Sequence, residues 1–247
     1  TRMGHGHGGA RTMHMGGGAL MKAIDGALAK AMPVAARLLQ TDADAVTFAN
    51  GAFATADGAS VTLAAVAGAA RAEDSAGGGL ETYAKVEDAP FTFPNGCHAA
   101  EVEIDPDTGA VTLARYVTAE DYGNLINPRL TVGQVRGGLA QGIGQALREH
   151  AVYDAASGQL LAGSLMDYAV PMAGDLPDLE VNLENGVATD ANPLGVKGSG
   201  QAGAIAAPQT VIHAVLDALA PLGVTHIDMP ATSETIWRAI RAAKNSG

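Results

Sequence analysis

The sequence predicts an α+β fold of two mixed α/β lobes with antiparallel-rich sheets. Three observations carry this. Helical and strand periodicities both occur, but they do not alternate strictly as βαβ units. Two turn signals, Asn50-Gly51 and Asp105-Pro106-Asp107-Thr108-Gly109, sit between short strand-like runs, as in antiparallel hairpins. The 247 residues, 47% hydrophobic and 17% charged, suffice for sizeable cores and exclude a disordered chain. The polar stretch 73–79 is the expected boundary, giving an N-terminal lobe 1–78 and a C-terminal lobe 79–247.

The elements follow in order. Residues 1–18 are rich in Gly, His and Met with little periodicity and read as a loop. Residues 19–39 carry helical apolar spacing (Leu20, Ile24, Leu28, Met32, Ala35, Leu39), interrupted by Pro33. Residues 45–49 and 52–55 read as strands around Asn50-Gly51, and Thr62 as the cap of a helix over 63–72. Residues 99–104 alternate as a strand, and 111–118 return antiparallel after the 105–109 turn. The spacing predicts a helix over 132–150 despite Gly137, Gly138, Gly142 and Gly144. Each helix glycine costs about 1 kcal/mol relative to Ala, so something must need the space they leave. A strand is expected at 179–183, a helix over 209–222 ended by Gly223, a short strand at 226–229 and a last helix over 234–243 capped by Ser233. No internal repeat is present.

The net charge of −11 argues against nucleic acid or an anionic membrane as partner. No run of eighteen apolar residues is present, so no membrane span is expected, and no signal peptide is read. The single cysteine, Cys97, cannot form an internal disulfide or a cysteine cage. A reducing, cytoplasmic setting is the expectation.

The segment richest in chemistry is Gly195-Val196-Lys197-Gly198-Ser199-Gly200-Gln201-Ala202-Gly203, which leads into an apolar helix. Glycines let backbone approach a ligand, and a helix start offers N–H groups and partial positive charge to an anionic cofactor. Residues 198–203 match G-x-G-x-x-G, but a turn rather than a strand precedes them, and Asp217 comes too early and lies within the following helix, so a nicotinamide fold is not supported. The alternative is a structural glycine turn. In 4–12, His5 and His7, with His14 nearby, lack the carboxylate or cysteine that would complete a tetrahedral metal set. Arg11 and Thr12 suit a phosphate cradle better, with a flexible tail as the plain alternative. Asp121 and Asn127 could face a ligand or simply cap a polar turn. Gln134, Gln141 and Gln145 lie on or near one helix and could meet a cofactor ring or solvent. Cys97 beside His98 suggests a nucleophile–base pair, but neighbours in a strand point to opposite faces. Met166-Asp167-Tyr168 has no role readable from chemistry. Thr1 as an N-terminal nucleophile is a remote option.

Taken together, several segments resemble a known family: Gly9-Ala10-Arg11-Thr12; Phe93-Pro94-Asn95-Gly96-Cys97-His98 with 101–109; Ile126-Asn127-Pro128 with 133–142; Gly163-Ser164-Leu165-Met166-Asp167-Tyr168; and Asn192-Pro193-Leu194-Gly195-Val196-Lys197-Gly198. The chain resembles the C-terminal part of the molybdopterin-binding large subunit of the xanthine oxidase family of molybdenum hydroxylases, in its carbon monoxide dehydrogenase-like, bacterial aldehyde and N-heterocycle branch. The likeness spans nearly the whole chain in order. It implies hydroxylation of an aldehyde or aromatic heterocycle with water-derived oxygen. It implies a molybdenum held by a pterin, in the cytosine dinucleotide form, with no metal-ligating side chains, and [2Fe–2S] clusters and FAD on partner chains. It places Gly9, Ala10, Arg11 and Thr12 against the dinucleotide, together with Asp121, Tyr122, Gly123, Ile126 and Asn127. Gln134, Lys197, Gly198, Ser199 and Gly200 would line its other side.

Two departures matter. The family's general base is a glutamate in Gly-x-Gly-Glu-Ala/Ser-Gly, and this chain has Gln201 there. An amide exchanges hydrogen bonds but takes no proton, and losing a positioned base costs about 10²–10⁴-fold in rate. Either another group is the base, or Gln201 orients substrate in an altered reaction, or the site is weak or engineered. A non-catalytic assembly subunit of the same fold is the rival reading. The second departure is length: the long N-terminal part of the family's subunit is missing, which implies a separate chain supplying it.

Overall fold

The computed structural model describes residues 6, 8–74, 78–87, 89–183 and 186–245. Thr1, His5 and His7 therefore lie outside the described residues. The chain forms two compact units, one of Arg11–Pro90 with Asn192–Leu194, the other of Thr1–Ala10, Phe91–Ala191 and Gly195–Gly247. Helices and mostly antiparallel strands mix in both, an α+β fold.

In the first unit the chain becomes helical earlier than the composition of 1–18 suggests. A π-helical stretch, Thr12–Gly17, runs into α1, Gly18–Leu38. Gly17 allows close packing rather than a turn: a Cβ on it would stand 2.5 Å from Leu194 Cδ1, whereas one on Gly18 would make ordinary contact with Pro193 Cδ at 3.5 Å. Pro33 lies inside α1 without ending it. Ala31 and Ala35 of α1 are fully buried with Phe53 and Val66 in this unit's core. Strands β1, Val46–Ala49, and β2, Ala52–Thr55, pair antiparallel as expected. Asn50 (φ 50°) and Gly51 (φ 80°) supply the left-handed turn between them. A third strand, β3, Ser60–Thr62, was not expected from sequence and joins β2. The Thr62 hydroxyl accepts the Ala65 N–H at 3.2 Å and opens α2, Leu63–Glu73, as expected.

The second unit is built on a three-stranded sheet, β4 (Asn95–Ile104), β5 (Val111–Asp121) and β6 (Leu179–Leu183). β4 and β5 run antiparallel through the 105–109 turn, where Asp105 accepts the Asp107 N–H and the Thr108 hydroxyl. β6 lies parallel to β5 on its other edge. The β4–β5 register shifts between Glu101 and Val102, because Glu101 faces Arg115 while Val102 faces Leu113. Ala114 is thus an extra residue, a β-bulge that reverses the alternation. Leu113 is buried before it; Tyr116, Thr118 and Glu120 are buried after it.

Three helices complete the unit: α3 (Pro128–Leu147), α4 (Ala202–Leu219) and α5 (Ser233–Asn245). The glycines of α3 make room for α4. A Cβ on Gly138 would lie 2.9 Å from the Ala204 nitrogen, and one on Gly142 2.6 Å from the Ala207 Cβ. Gly144 makes room for Pro171, whose Cγ would stand 2.8 Å away. By length and composition alone, 202–222 could cross a membrane. Here α4 instead buries Val211, Val215 and Leu219 in the core with Leu139 and Ile143 of α3. Each such side chain contributes about 1.5–3 kcal/mol by leaving water.

Three expectations need correction. α4 begins at Ala202 rather than 209, because Pro208 is tolerated inside it. Residues 226–229 form no strand; Ile227 is buried in the core instead, and just beyond, the Ala231 N–H donates to the Ala146 carbonyl at the end of α3 at 2.7 Å. Thr232, not Ser233, caps α5, its hydroxyl accepting the Thr235 N–H at 3.3 Å.

Candidate cofactor site

The end of β5 and the glycine-rich loop before α4 are joined by hydrogen bonds. The bulge at Ala114 turns Glu120 inward and leaves Asp121 on the opposite face. The Asp121 carboxylate receives the Lys197 ammonium at 2.7 Å and the Gly123 N–H at 2.8 Å. The backbones then pair. Lys197 N–H donates to the Tyr122 carbonyl at 2.9 Å, and Asn124 N–H to the Gly195 carbonyl at 3.0 Å. Gly123 and Val196 form an isolated antiparallel bridge. The approach depends on glycine: a side chain on Gly123 would strike the Gly195 carbonyl oxygen, and one on Gly186 would come within 2.7 Å of the Gly123 nitrogen. We call this arrangement the clasp. First the Lys197 ammonium and then the Gly123 amide hold the Asp121 carboxyl below its usual value.

The loop then runs over α3. The Gln134 amide donates to the Gly200 carbonyl at 2.6 Å. Gly137 lies next to Gln134 one turn along α3, and a Cβ on it, on Gly133 or on Gly200 would meet nothing within 4 Å. Bare backbone therefore lies open beside the Gln134–Gly200 bond. Gln201 is exposed at the N-cap position of α4 and makes no side-chain cap bond. Its carbonyl accepts Ala204 and Ile205 N–H at 3.0 Å each. The glycine loop thus ends directly at a helix N-terminus, where partial positive charge favours an anionic ligand.

The other expected site residues fall into place as follows. Ala10 sits against Gly198, whose Cβ would be 2.9 Å from that of Ala10, and Gly9 (φ 57°) precedes it in a left-handed turn. Arg11 and Thr12 open the helix of the first unit, Arg11 half-buried and Thr12 exposed. Asn127 caps α3, accepting the Leu130 N–H at 3.1 Å, so its oxygen serves the fold while Ile126 stays exposed. The Tyr122 side chain is core, and only its backbone joins the clasp. Lys197 spends its charge on Asp121, so the loop presents mainly backbone donors and the Ser199 hydroxyl. Among the described residues, no group of three or more His, Cys, Asp or Glu could hold a metal ion. The backbone N–H groups, the Ser199 hydroxyl and the helix start suit an anionic organic group.

Sequence reasoning missed a buried cluster behind the clasp, His98 with Glu120, Thr118 and Tyr116. Cys97 is exposed while the His98 side chain is buried, so the two do face apart. The available signal was a strand whose inward positions are polar, hidden by the parity change at the bulge. A cavity of about 490 Å³ lies at the opposite end of β5, lined by Val111, Leu113, Arg148 and Pro171 among others. It shares no residue with the clasp.

Comparison with known proteins gives the family. Residues 1–177 match the family described as molybdopterin cofactor-binding domain. The chain is 36% identical over 242 residues to the nicotine 6-hydroxylase large subunit of Paenarthrobacter nicotinovorans, covering 94% of this chain and 29% of the relative. It is 33% identical to the carbon monoxide dehydrogenase large chain of Hydrogenophaga pseudoflava, with 94% and 29% coverage. Among solved structures, a Cu,Mo-CO dehydrogenase superposes at a TM-score of 0.88 with 27% identity, covering 99% of this chain and 31% of the other. Quinoline 2-oxidoreductase from Pseudomonas putida 86 does so at 0.85 with 34% identity, covering 96% and 31%. The chain belongs to the molybdopterin cofactor-binding domain family, in the form found in large subunits of xanthine oxidase-family molybdenum hydroxylases. It spans about three tenths of the length of these relatives.

Proposed function

We propose that this chain is the molybdopterin-binding part of a multi-subunit molybdenum hydroxylase acting on an aldehyde or aromatic N-heterocycle. The observation that carries the reading is the glycine-rich loop 195–201, clasped onto 121–124 and delivering Gln201 to the start of α4. Gly198, Ser199, Gly200 and Gln134 hold one side of the pterin, in its cytosine dinucleotide form. Gly9 and Ala10 hold the other with the 121–127 turn, and Arg11 and Thr12 bind its phosphates. When bound, this group supplies the two-electron oxidation and the site at which water-derived oxygen reaches an electron-poor carbon. Partner chains with [2Fe–2S] clusters and FAD carry the electrons away.

What the chain's own residues contribute is positioning. The Asp121–Lys197 pair fixes the loop, and Gln134 fixes the Gly200 carbonyl. Gln201, exposed at the reacting end, donates one hydrogen bond and accepts another. It orients substrate and takes no proton, so the proton leaves through a different base. A second reading, a non-catalytic assembly subunit, is favoured by the same residue, since glutamine cannot replace the carboxylate. Molybdenum analysis with a reduction assay on aldehydes and azines separates the two: metal present without turnover supports the assembly subunit. Gln201→Glu tests the role of the amide. A gain of about 10²-fold or more means the native site lacks its base, whereas a loss means the amide has its own task.

Docking against the polypeptide that forms the rest of the large subunit is part of this proposal. Its support is the irregular segment 151–172, where Leu165 and Met166 are 80% and 94% exposed, with Tyr153, Leu161 and Met172 also exposed. Apolar surface of this kind marks an interface, and the relatives carry more than twice as much further chain to cover it. Leu165→Asp with Met166→Asp should abolish assembly with that polypeptide while leaving this chain folded. Unchanged assembly would remove the segment from the interface.

A further inference from the structure

Behind the clasp lies the buried cluster. His98 of β4 faces Thr118 of β5 in register. His98 Nε2 is 2.6 Å from Glu120 Oε1, and its Nδ1 is 2.8 Å from the Tyr116 hydroxyl. The Thr118 hydroxyl donates to the same Glu120 oxygen at 2.7 Å. The His98 and Glu120 side chains are each only 3% exposed. Burial pushes the Glu120 carboxyl up, but hydrogen bonds from His98 and Thr118 outweigh it and leave the group below its usual value. Burial also pushes the neighbouring phenols up, that of Tyr116 to about 12. A half-satisfied polar group in such a place is costly, and His98, Thr118 and Tyr116 supply the partners that satisfy this network.

Its position gives it a purpose. The bulge at Ala114 makes Glu120 the last inward strand residue, and Asp121, next along the chain, must then point to the opposite face toward Lys197. We infer that His98 and Glu120 are positioning residues for the clasp. By pinning the end of β5 from inside the sheet, they hold Asp121, Gly123 and the Tyr122 carbonyl where the 195–197 segment can close on them. That the clasp seats a cofactor rests on the function proposed above; that Glu120 positions the clasp does not.

The test is amide hydrogen exchange on the full chain without cofactor. Three amides report the clasp directly: Gly123 to Asp121, Asn124 to Gly195 and Lys197 to Tyr122. Glu120→Gln keeps the shape and removes the charge. It should speed exchange at these three amides by about tenfold or more, with amides at the 102–104 end of β4 changed by less than about twofold. Glu180→Gln breaks the exposed Arg115 pair on the same sheet and should leave all three unchanged. Should Glu120→Gln fail to fold, Tyr116→Phe removes only the hydroxyl at His98 Nδ1 and should show the same ordering at smaller amplitude. Unchanged clasp exchange, or equal acceleration along the whole β4–β5 ladder, would overturn the inference. No cofactor enters this readout, so a failure here is distinct from a failure of the pterin assignment. A parallel measurement of molybdopterin retention should show loss in Glu120→Gln and none in Glu180→Gln.

Discussion

Two adjacent glycines in α3 should respond to the same substitution with opposite signs. Gly137 and Gly138 are both helical, so alanine at either gains about 1 kcal/mol of helix propensity. At Gly137 the added methyl meets nothing within 4 Å, and the gain stands. At Gly138 it would sit 2.9 Å from the Ala204 nitrogen and 3.1 Å from Gly203 Cα. Those atoms are α4 backbone, which cannot rotate away, and overpacking of this kind costs about 1–3 kcal/mol. The net for Gly138→Ala is therefore about 0–2 kcal/mol destabilising, and the two variants should differ by about 1–3 kcal/mol. Urea unfolding followed through the single tryptophan, Trp237, which lies on α5 of the same unit, reads that difference. The Gly137→Ala chain, though more stable, should retain less molybdopterin, because its methyl intrudes on the open backbone beside Gln134. Equal stabilisation by both substitutions would refute the close approach of α3 and α4 on which the placement of Gln201 depends.

Other outcomes follow from the same geometry. Asp121→Asn leaves the Lys197 ammonium, 11% exposed, facing an amide. It should cost about 1–3 kcal/mol and raise proteolytic cleavage within 195–201. The Asp121 carboxyl stands below its usual value, so its contribution is complete above the unfolded value near 4 and is lost as pH falls through the lower folded value. Acid titration of clasp amide shifts by NMR should show that loss in the native chain and none in Asp121→Asn. Asn127→Ala removes the α3 cap and should cost about 1 kcal/mol in urea unfolding, with Asn127→Ser recovering most of it.

The sequence revealed those elements whose local chemistry agrees with the fold. Asn50-Gly51 can hardly be other than a hairpin turn, and Thr62 before an apolar run is a cap. It concealed those decided by tertiary contact. Gly17 and Gly18 look like loop residues, yet they are helical and lie against Leu194 and Pro193. Pro208 looks like a helix start but is accommodated inside α4. The largest omission was Glu120. Counting by twos from Leu113 puts Asp121 in the core and Glu120 in water, and one extra residue at Ala114 inverts this. No local pattern announces such a bulge, because it is set by the pairing partner on β4. The loop 195–201 was legible from its glycines as a turn of close backbone approach. Its partner across the clasp, Asp121, was legible only as one polar residue among several.

The central claim is that the loop ending at Gln201 closes on a molybdopterin. A density map of the enzyme assembled with its cofactor tests this most directly. Pterin density is expected along Gly198, Ser199 and Gly200 beside Gln134, with the Gln201 amide at the metal end. Pterin density elsewhere in the assembly, with 198–201 facing bulk solvent, would contradict it.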